Sequence, residues 1–176
     1  MAYDRENIIK VLKENLETNI LNHSLALEAC MGGLYDYLEA NGQLDSGEPS
    51  KEDWLIAGLL HDVDYSGEFK DQHPAKTKEA LDKYGLAASD VVIKIIKAHA
   101  LNPDIKRETK ADWAIFCADS LTGLIVAVAL VYPAKKLEPV ILSSVIKRFK
   151  KQPNKQQRYS YWHRGFRNNA LCDKRY

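Results

Sequence analysis

The sequence predicts an all-α fold, and three observations carry that prediction. Apolar residues recur at helical spacing in segment after segment. Several of those segments are preceded by N-cap signals. No stretch reads as a credible strand, and no internal repeat is present. A chain of 176 residues suits one domain with a tail, here a helical domain over 1–150 and a separate segment over 151–176.

The elements follow in order. Asp4 to about Glu17 places Ile8, Ile9, Leu12 and Leu16 at helical spacing. Asn22 to Leu38 is a second helix, with His23, Ala26, Leu27, Cys30, Leu34 and Leu38 on one face. Asn41 to Pro49 is rich in turn residues and reads as a loop. Ser50 to Asp53 matches a capping box and opens a helix through Trp54, ending near Val63. Tyr65 to Gln72 is a polar loop. Pro74 fits the first position of a short helix to Tyr84, with His73 near its N-cap and Gly85 as the residue that ends it. Ser89 caps a helix to about His99, and Asn102-Pro103 marks a turn. Thr109 to Asp112 is another capping box and opens a long apolar helix that Pro133 ends. Pro139 to Lys150 is the last helix.

Composition narrows the function classes. The net charge of +1 gives no global pull toward nucleic acid or lipid. Three distant cysteines, Cys30, Cys117 and Cys172, make no disulfide framework and fit a reducing, cytoplasmic setting. The N-terminus shows no signal-peptide pattern. Trp113 to Tyr132 is about long enough to span a bilayer, but Asp119 lies within it, and a central Asp costs about 2.5–3.5 kcal/mol on insertion. It reads as the central helix of a soluble bundle, so no membrane partner is expected.

The chemistry-bearing residues occupy apolar faces. His61 and Asp62 end the helix WLIAGLLHDVDY. His23 and His99 share faces with aliphatic residues, His73 precedes Pro74, and Asp119 is embedded in the most apolar helix. Each alone has an ordinary explanation: a hydrogen-bonded core histidine, an N-cap at His73, a buried ion pair at Asp119. Together, several unrelated buried polar groups would each need its own partner. A shared divalent cation serves them all. Mixed imidazole and carboxylate donors suit Mn, Fe, Co, Ni or Zn, and Asp62 would bridge if two ions bind.

With these residues in view, His23…His61-Asp62…Asp119 resembles the signature of the HD-domain superfamily of metal-dependent phosphohydrolases. Over about residues 20–150 the chain is most similar to small HD-domain hydrolases of bacteria and archaea, which have counterparts of AGLLHDVDY, ADSLTGLIVAVALVYPAKKL and SSVIKRFK. The resemblance implies a helical bundle around a central metal site. His23, His61, Asp62 and Asp119 would hold one ion. His73 and His99 match the extra histidines of dinuclear members and would hold a second. One or two ions, of Mn, Fe, Co, Ni, Zn or Mg, are compatible with it.

Such a site generates a nucleophile from water near neutral pH and neutralises charge on phosphate oxygens. Asp62 and Asp64 are the candidate catalytic carboxylates, Asp64 as a supporting or acid/base group or simply a turn residue. Thr122, one turn after Asp119, is a candidate substrate contact, and Gly123 beside it would allow close approach of a ligand. Lys135 and Lys136 are phosphate-binding candidates or a solvated loop. Lys94 and Lys97 read as surface.

Three functions fit. The first is hydrolysis of a small phosphoester, such as a phosphomonoester or nucleotide. The second is oxygen activation, since some dinuclear HD proteins hold iron. The third is a non-enzymatic nucleic-acid-binding module built on the tail. Lys150 to Tyr176 carries eight Lys/Arg against one Asp, with Tyr159, Tyr161, Trp162, Phe166 and Tyr176 among them. This composition suits single strands, but aromatics resting on the bundle account for it better, so nucleic acid is disfavoured as a partner. His163 is not counted as a ligand.

Overall fold

The computed structural model describes residues 3–102 and 104–151. The described residues form seven α-helices and one 3-10 turn, with no strand among them. The helices are α1 (Arg5–Asn15), α2 (Thr18–Ala40), α3 (Lys51–Leu60), α4 (Thr77–Lys83), α5 (Asp90–Ala98), α6 (Lys110–Val131) and α7 (Leu142–Lys151); the 3-10 turn spans Gly67–Gln72. The chain divides into two compact units, the first ending at Ala118 and the second beginning at Asp119, so the division falls within α6. Segment 152–176, with its aromatics and His163, lies outside the described residues, as does Pro103 of the expected turn.

Capping is set locally and follows the sequence closely. Asp4 accepts from the amide of Asn7, and Ser89 from that of Val92. Ser50 and Asp53 form a reciprocal capping box, and Thr109 and Asp112 form another. The end of α4 is a Schellman motif. Gly85 has φ +68°, its amide donates to Asp82, and the amide of Leu86 donates to Leu81.

Boundaries differ from expectation where long-range contacts decide them. Helix α2 begins at Thr18, four residues before Asn22, with no side-chain cap, and it buries Leu21. Its buried row is Ser24, Leu27, Glu28 and Met31, whereas His23, Ala26 and Cys30 are only half-buried. The face is therefore rotated from the expected one, because the crossing with α3 falls on Leu27 and Glu28, whose backbone lies against Gly58, and Arg5 meets the Glu28 carboxylate there with a bidentate pair at 2.5 and 2.8 Å. Helix α3 stops at Leu60, not Val63, as the chain turns through His61 to Asp64. Pro74 does not start α4. The His73–Pro74 peptide is cis, and the helix begins at Thr77, whose hydroxyl donates to the Pro74 carbonyl at 2.9 Å. Likewise α7 begins at Leu142 rather than Pro139, after turns closed by the amides of Val140 and Ser144.

The first unit is built on α2, α3 and α5. Helix α3 packs against both α2 and α5. Its core includes Leu12, Leu27, Met31, Trp54, Leu59 and Ile96, all fully buried. Gly58 is the pivot of the α2–α3 crossing. A Cβ there would lie 2.9 Å from the Cα and N of Glu28, so only glycine lets the two helices approach this closely. The acidic loop 41–49 is tied to the start of α6. Glu48 accepts from the amide of Lys110 at 2.7 Å, and Asp45 pairs with the Lys110 ammonium. A carboxylate at a helix N-terminus also complements the helix dipole.

In the second unit, the rest of α6 is followed by turns from Tyr132 to Ile141 and then α7. Tyr132 and Ser144 share a 2.6 Å hydroxyl–hydroxyl bond. Among the described residues, α6 is the one helix long and apolar enough to cross a membrane, by length and composition alone.

Candidate metal centre

Four backbone segments of the first unit deliver the candidate ligands. His23 sits near the start of α2, His61 and Asp62 leave the end of α3, and His99 caps the end of α5. His73 comes from the connection between the 3-10 turn and α4. The close α2–α3 crossing at Gly58 brings His23 and His61 edge to face, with centroids 4.9 Å apart. His61 and His99 meet in the same way at 5.3 Å.

Asp62 lies at the middle of the cluster. Its Oδ2 is 3.2 Å from His61 Nε2 and 3.8 Å from His23 Nε2. Its Oδ1 is 3.4 Å from His73 Nε2, and that nitrogen is 2.9 Å from His99 Nε2. Two sets of donors result: His23, His61 and Asp62, and then Asp62, His73 and His99. In each, the ligand atoms lie within 4.8 Å of one another. Asp62 is common to both.

The ring tautomers decide what the cluster can bind. Nδ1 of His61 donates to the Gly58 carbonyl at 2.9 Å, and Nδ1 of His99 donates to the Ile96 carbonyl at 2.5 Å. A carbonyl can only accept, so in both neutral rings Nε2 carries the lone pair. His73 Nδ1 donates to Asp64 Oδ1 at 2.7 Å, which gives its Nε2 the same character. Three imidazole lone pairs and a carboxylate therefore face one another at hydrogen-bond distances. Acceptors so arranged repel unless a cation or extra protons lie among them. The donor set thus fits one or two divalent ions, in nitrogen–oxygen coordination.

Electrostatics keep the central group ready. Without a metal, burial pushes the Asp62 carboxyl up, but its hydrogen bond with His61 and the positive charge that the His61, His73 and His99 rings carry when protonated outweigh that and hold it down at about 2. A cation among neutral rings would favour the carboxylate in the same way.

Supporting groups fix the rings. Asp64 is fully buried, and both its oxygens are engaged, Oδ1 by His73 and Oδ2 by the amide of Lys76 at 3.0 Å. That arrangement places Asp64 behind the His73 ring, on the side of Nδ1. Arg107 was not singled out in the sequence. Its guanidinium donates to the carbonyls of Ala98 and Ala100, at 2.8 and 2.5 Å, on either side of His99, and stacks 3.7 Å from the Phe116 ring centroid. Tyr65, also not anticipated, lies edge-on to His73 with centroids 5.0 Å apart. No local sequence signal marks either residue, because their partners are distant in sequence or depend on the turn at His73.

The other candidates lie in the second unit. Asp119 opens it, half-buried on α6, and its backbone carbonyl accepts from the Thr122 hydroxyl at 2.7 Å. The Thr122 proton is thus committed within its own helix. Gly123 is exposed, and a Cβ there would meet no protein atom within 4 Å, so no backbone packs closely against it. Lys135 has φ +50° in a turn, and both it and Lys136 are exposed. Lys94 and Lys97 are exposed as well, with Lys94 paired to Glu108.

A family model described as HD domain matches residues 20–143. The chain belongs to the HD domain family. That span of the HD domain contains all five clustered ligand candidates together with Asp119, and membership implies a superfamily of metal-dependent hydrolases that bind divalent metals. No curated protein and no solved structure gives a match.

Proposed function

We propose that this HD domain protein is a metal-dependent hydrolase of a small phosphoester, such as a phosphomonoester or a nucleotide. The observation that carries the reading is the convergence of imidazole lone pairs on the ionised Asp62 carboxylate, an arrangement that calls for cations. His23, His61 and Asp62 would hold one ion, and Asp62, His73 and His99 a second. Asp119 is assigned to the first ion on the family pattern alone. When bound, such ions acidify water and neutralise charge on phosphate oxygens.

The chain's own residues supply orientation. The carbonyls of Gly58 and Ile96 hold His61 and His99 with their Nε2 lone pairs inward. Asp64 does the same for His73 and raises its basicity by accepting the Nδ1 proton. This is a positioning role; both Asp64 oxygens are already bonded, so proton transfer to substrate is not assigned to it. Asp62 stays anionic and offers one oxygen to each donor set. Thr122, Lys135 and Lys136 remain proposed substrate contacts.

The test is elemental analysis of the purified protein, followed by a phosphoester panel with the metal found. Phosphate release that disappears in His61→Ala and Asp62→Ala, with helical content unchanged, is the expected result. Full turnover in either variant sinks the proposal. Iron content with oxygen uptake coupled to turnover, and no phosphate release, would replace it with the oxygenase reading.

A further inference from the structure

His99 reaches the cluster from the root of a loop. Helix α5 ends at Ala98, and the chain beyond His99 passes through exposed Leu101, Asn102, Asp104 and Lys106. On its helical side the residue is well held, since its amide and its Nδ1 both donate to the Ile96 carbonyl. The loop side is different. Among the described residues, no backbone amide serves the carbonyl of Ala98 or that of Ala100. Such carbonyls at a helix end need donors from elsewhere. Fastened on one side only, a ring at the root of a loop follows the movement of that loop.

Arg107 fastens the other side. Its Nε donates to the Ala98 carbonyl at 2.8 Å, and one terminal nitrogen donates to the Ala100 carbonyl at 2.5 Å. One rigid plane thus grips the main chain immediately before and immediately after His99. The plane is itself fixed. Its central carbon lies 3.7 Å from the ring centroid of Phe116 and 5.6 Å from that of Trp113, both early in α6. A planar fork with donors in fixed directions suits this task, whereas the point charge of a lysine does not. The positive charge also complements the negative end of α5.

We propose that Arg107 is the positioning residue for the second ion. By clamping the carbonyls on either side of His99 against Phe116, it keeps the His99 Nε2 lone pair beside His73 Nε2 and the Asp62 carboxylate. The inference rests on the metal-binding part of the reading above and is independent of the reaction catalysed. His99 belongs to one donor set only. In the other set His61 is held by the Gly58 carbonyl and His23 is carried by α2. Loss of Arg107 should therefore fall on one ion and spare the other. A residue that merely stabilised the fold would not discriminate between them.

The experiment is calorimetric titration of the chelator-stripped full chain with Mn²⁺, with elemental analysis of the loaded protein and circular dichroism of each variant. Wild-type protein should take up two ions per chain. Arg107→Ala should weaken the second about 10–100-fold and leave the first unchanged, with helical content retained. Arg107→Lys keeps the charge and the stem but not the fork, so it should behave as the alanine variant does. Methylguanidinium, added at concentrations that leave the melting temperature unchanged, should restore the second ion to Arg107→Ala. Wild-type affinity for both ions in Arg107→Ala or in Arg107→Lys overturns the inference, and so does equal weakening of both ions. Wild-type protein that binds a single ion also overturns it, while the hydrolase reading then stands on one metal. Wild-type protein that binds none would sink both.

Discussion

Replacing Gly58 by alanine tests the link between helix packing and the metal centre. The new methyl would lie 2.9 Å from Glu28 Cα, 2.9 Å from Glu28 N and 3.0 Å from the Leu27 carbonyl carbon. All three obstacles are backbone atoms of α2, so no rotamer change relieves the overlap. Ordinary carbon contacts are about 3.5–4 Å, so the helices must separate by roughly 0.5–1 Å. Glu28 is held on its other side by Arg5, which resists that movement. Overpacking of this kind costs about 1–3 kcal/mol. Alanine's better helix propensity returns about 1 kcal/mol, and the net loss is about 0–2 kcal/mol, towards the upper end because every obstacle is backbone. For a chain of this size that lowers Tm by up to about 8 °C. His23 lies on α2 little more than one turn before Glu28, and its Nε2 is already 3.8 Å from Asp62 Oδ2. The set formed by His23, His61 and Asp62 should therefore lose affinity, while the set formed by Asp62, His73 and His99 should hold. Thermal melts by circular dichroism and calorimetric metal titration read the two effects separately. A variant that melts at or above the wild-type temperature and binds metal equally well would refute the reasoning.

Other perturbations separate the two donor sets and the thiols. His99→Ala should lower metal content from two ions per chain toward one, measured by elemental analysis on folded protein; an unchanged ratio makes His99 structural. Asp64→Asn removes the acceptor for His73 Nδ1, because a single amide oxygen cannot serve both His73 and the Lys76 amide. It should weaken the second ion about 10–100-fold and spare the first, and equal weakening of both would count against that assignment. Burial pushes the Cys117 thiol up to about 12, with Arg107 pulling only partly the other way, so it stays protonated and unreactive near pH 8. Iodoacetamide treatment at that pH, read by mass spectrometry, should label Cys117 only after denaturation; rapid labelling of the folded chain would contradict its burial.

Much of the helical framework was legible in local sequence, because capping and amphipathic periodicity act over a few residues. The boxes at Ser50 and Thr109, the caps at Asp4 and Ser89 and the Gly85 terminator stand where the residue types place them. The buried face of α2 and the start of α4 were not legible, since they depend on where α3 crosses α2 at Gly58 and on the hydrogen bond that joins His73 to Asp64.

The candidate centre divides along the same line. The sequence by itself determined which chemistry was available, namely imidazoles and carboxylates set on apolar faces, because residue type and periodicity are local properties. Only the tertiary structure decided that His23, His61, Asp62, His73 and His99 meet, and which nitrogen of His61, His73 and His99 faces inward. Those choices rest on a glycine at a helix crossing, two carbonyls at helix ends and a buried carboxylate. Each acts through a contact that forms when the chain closes on itself.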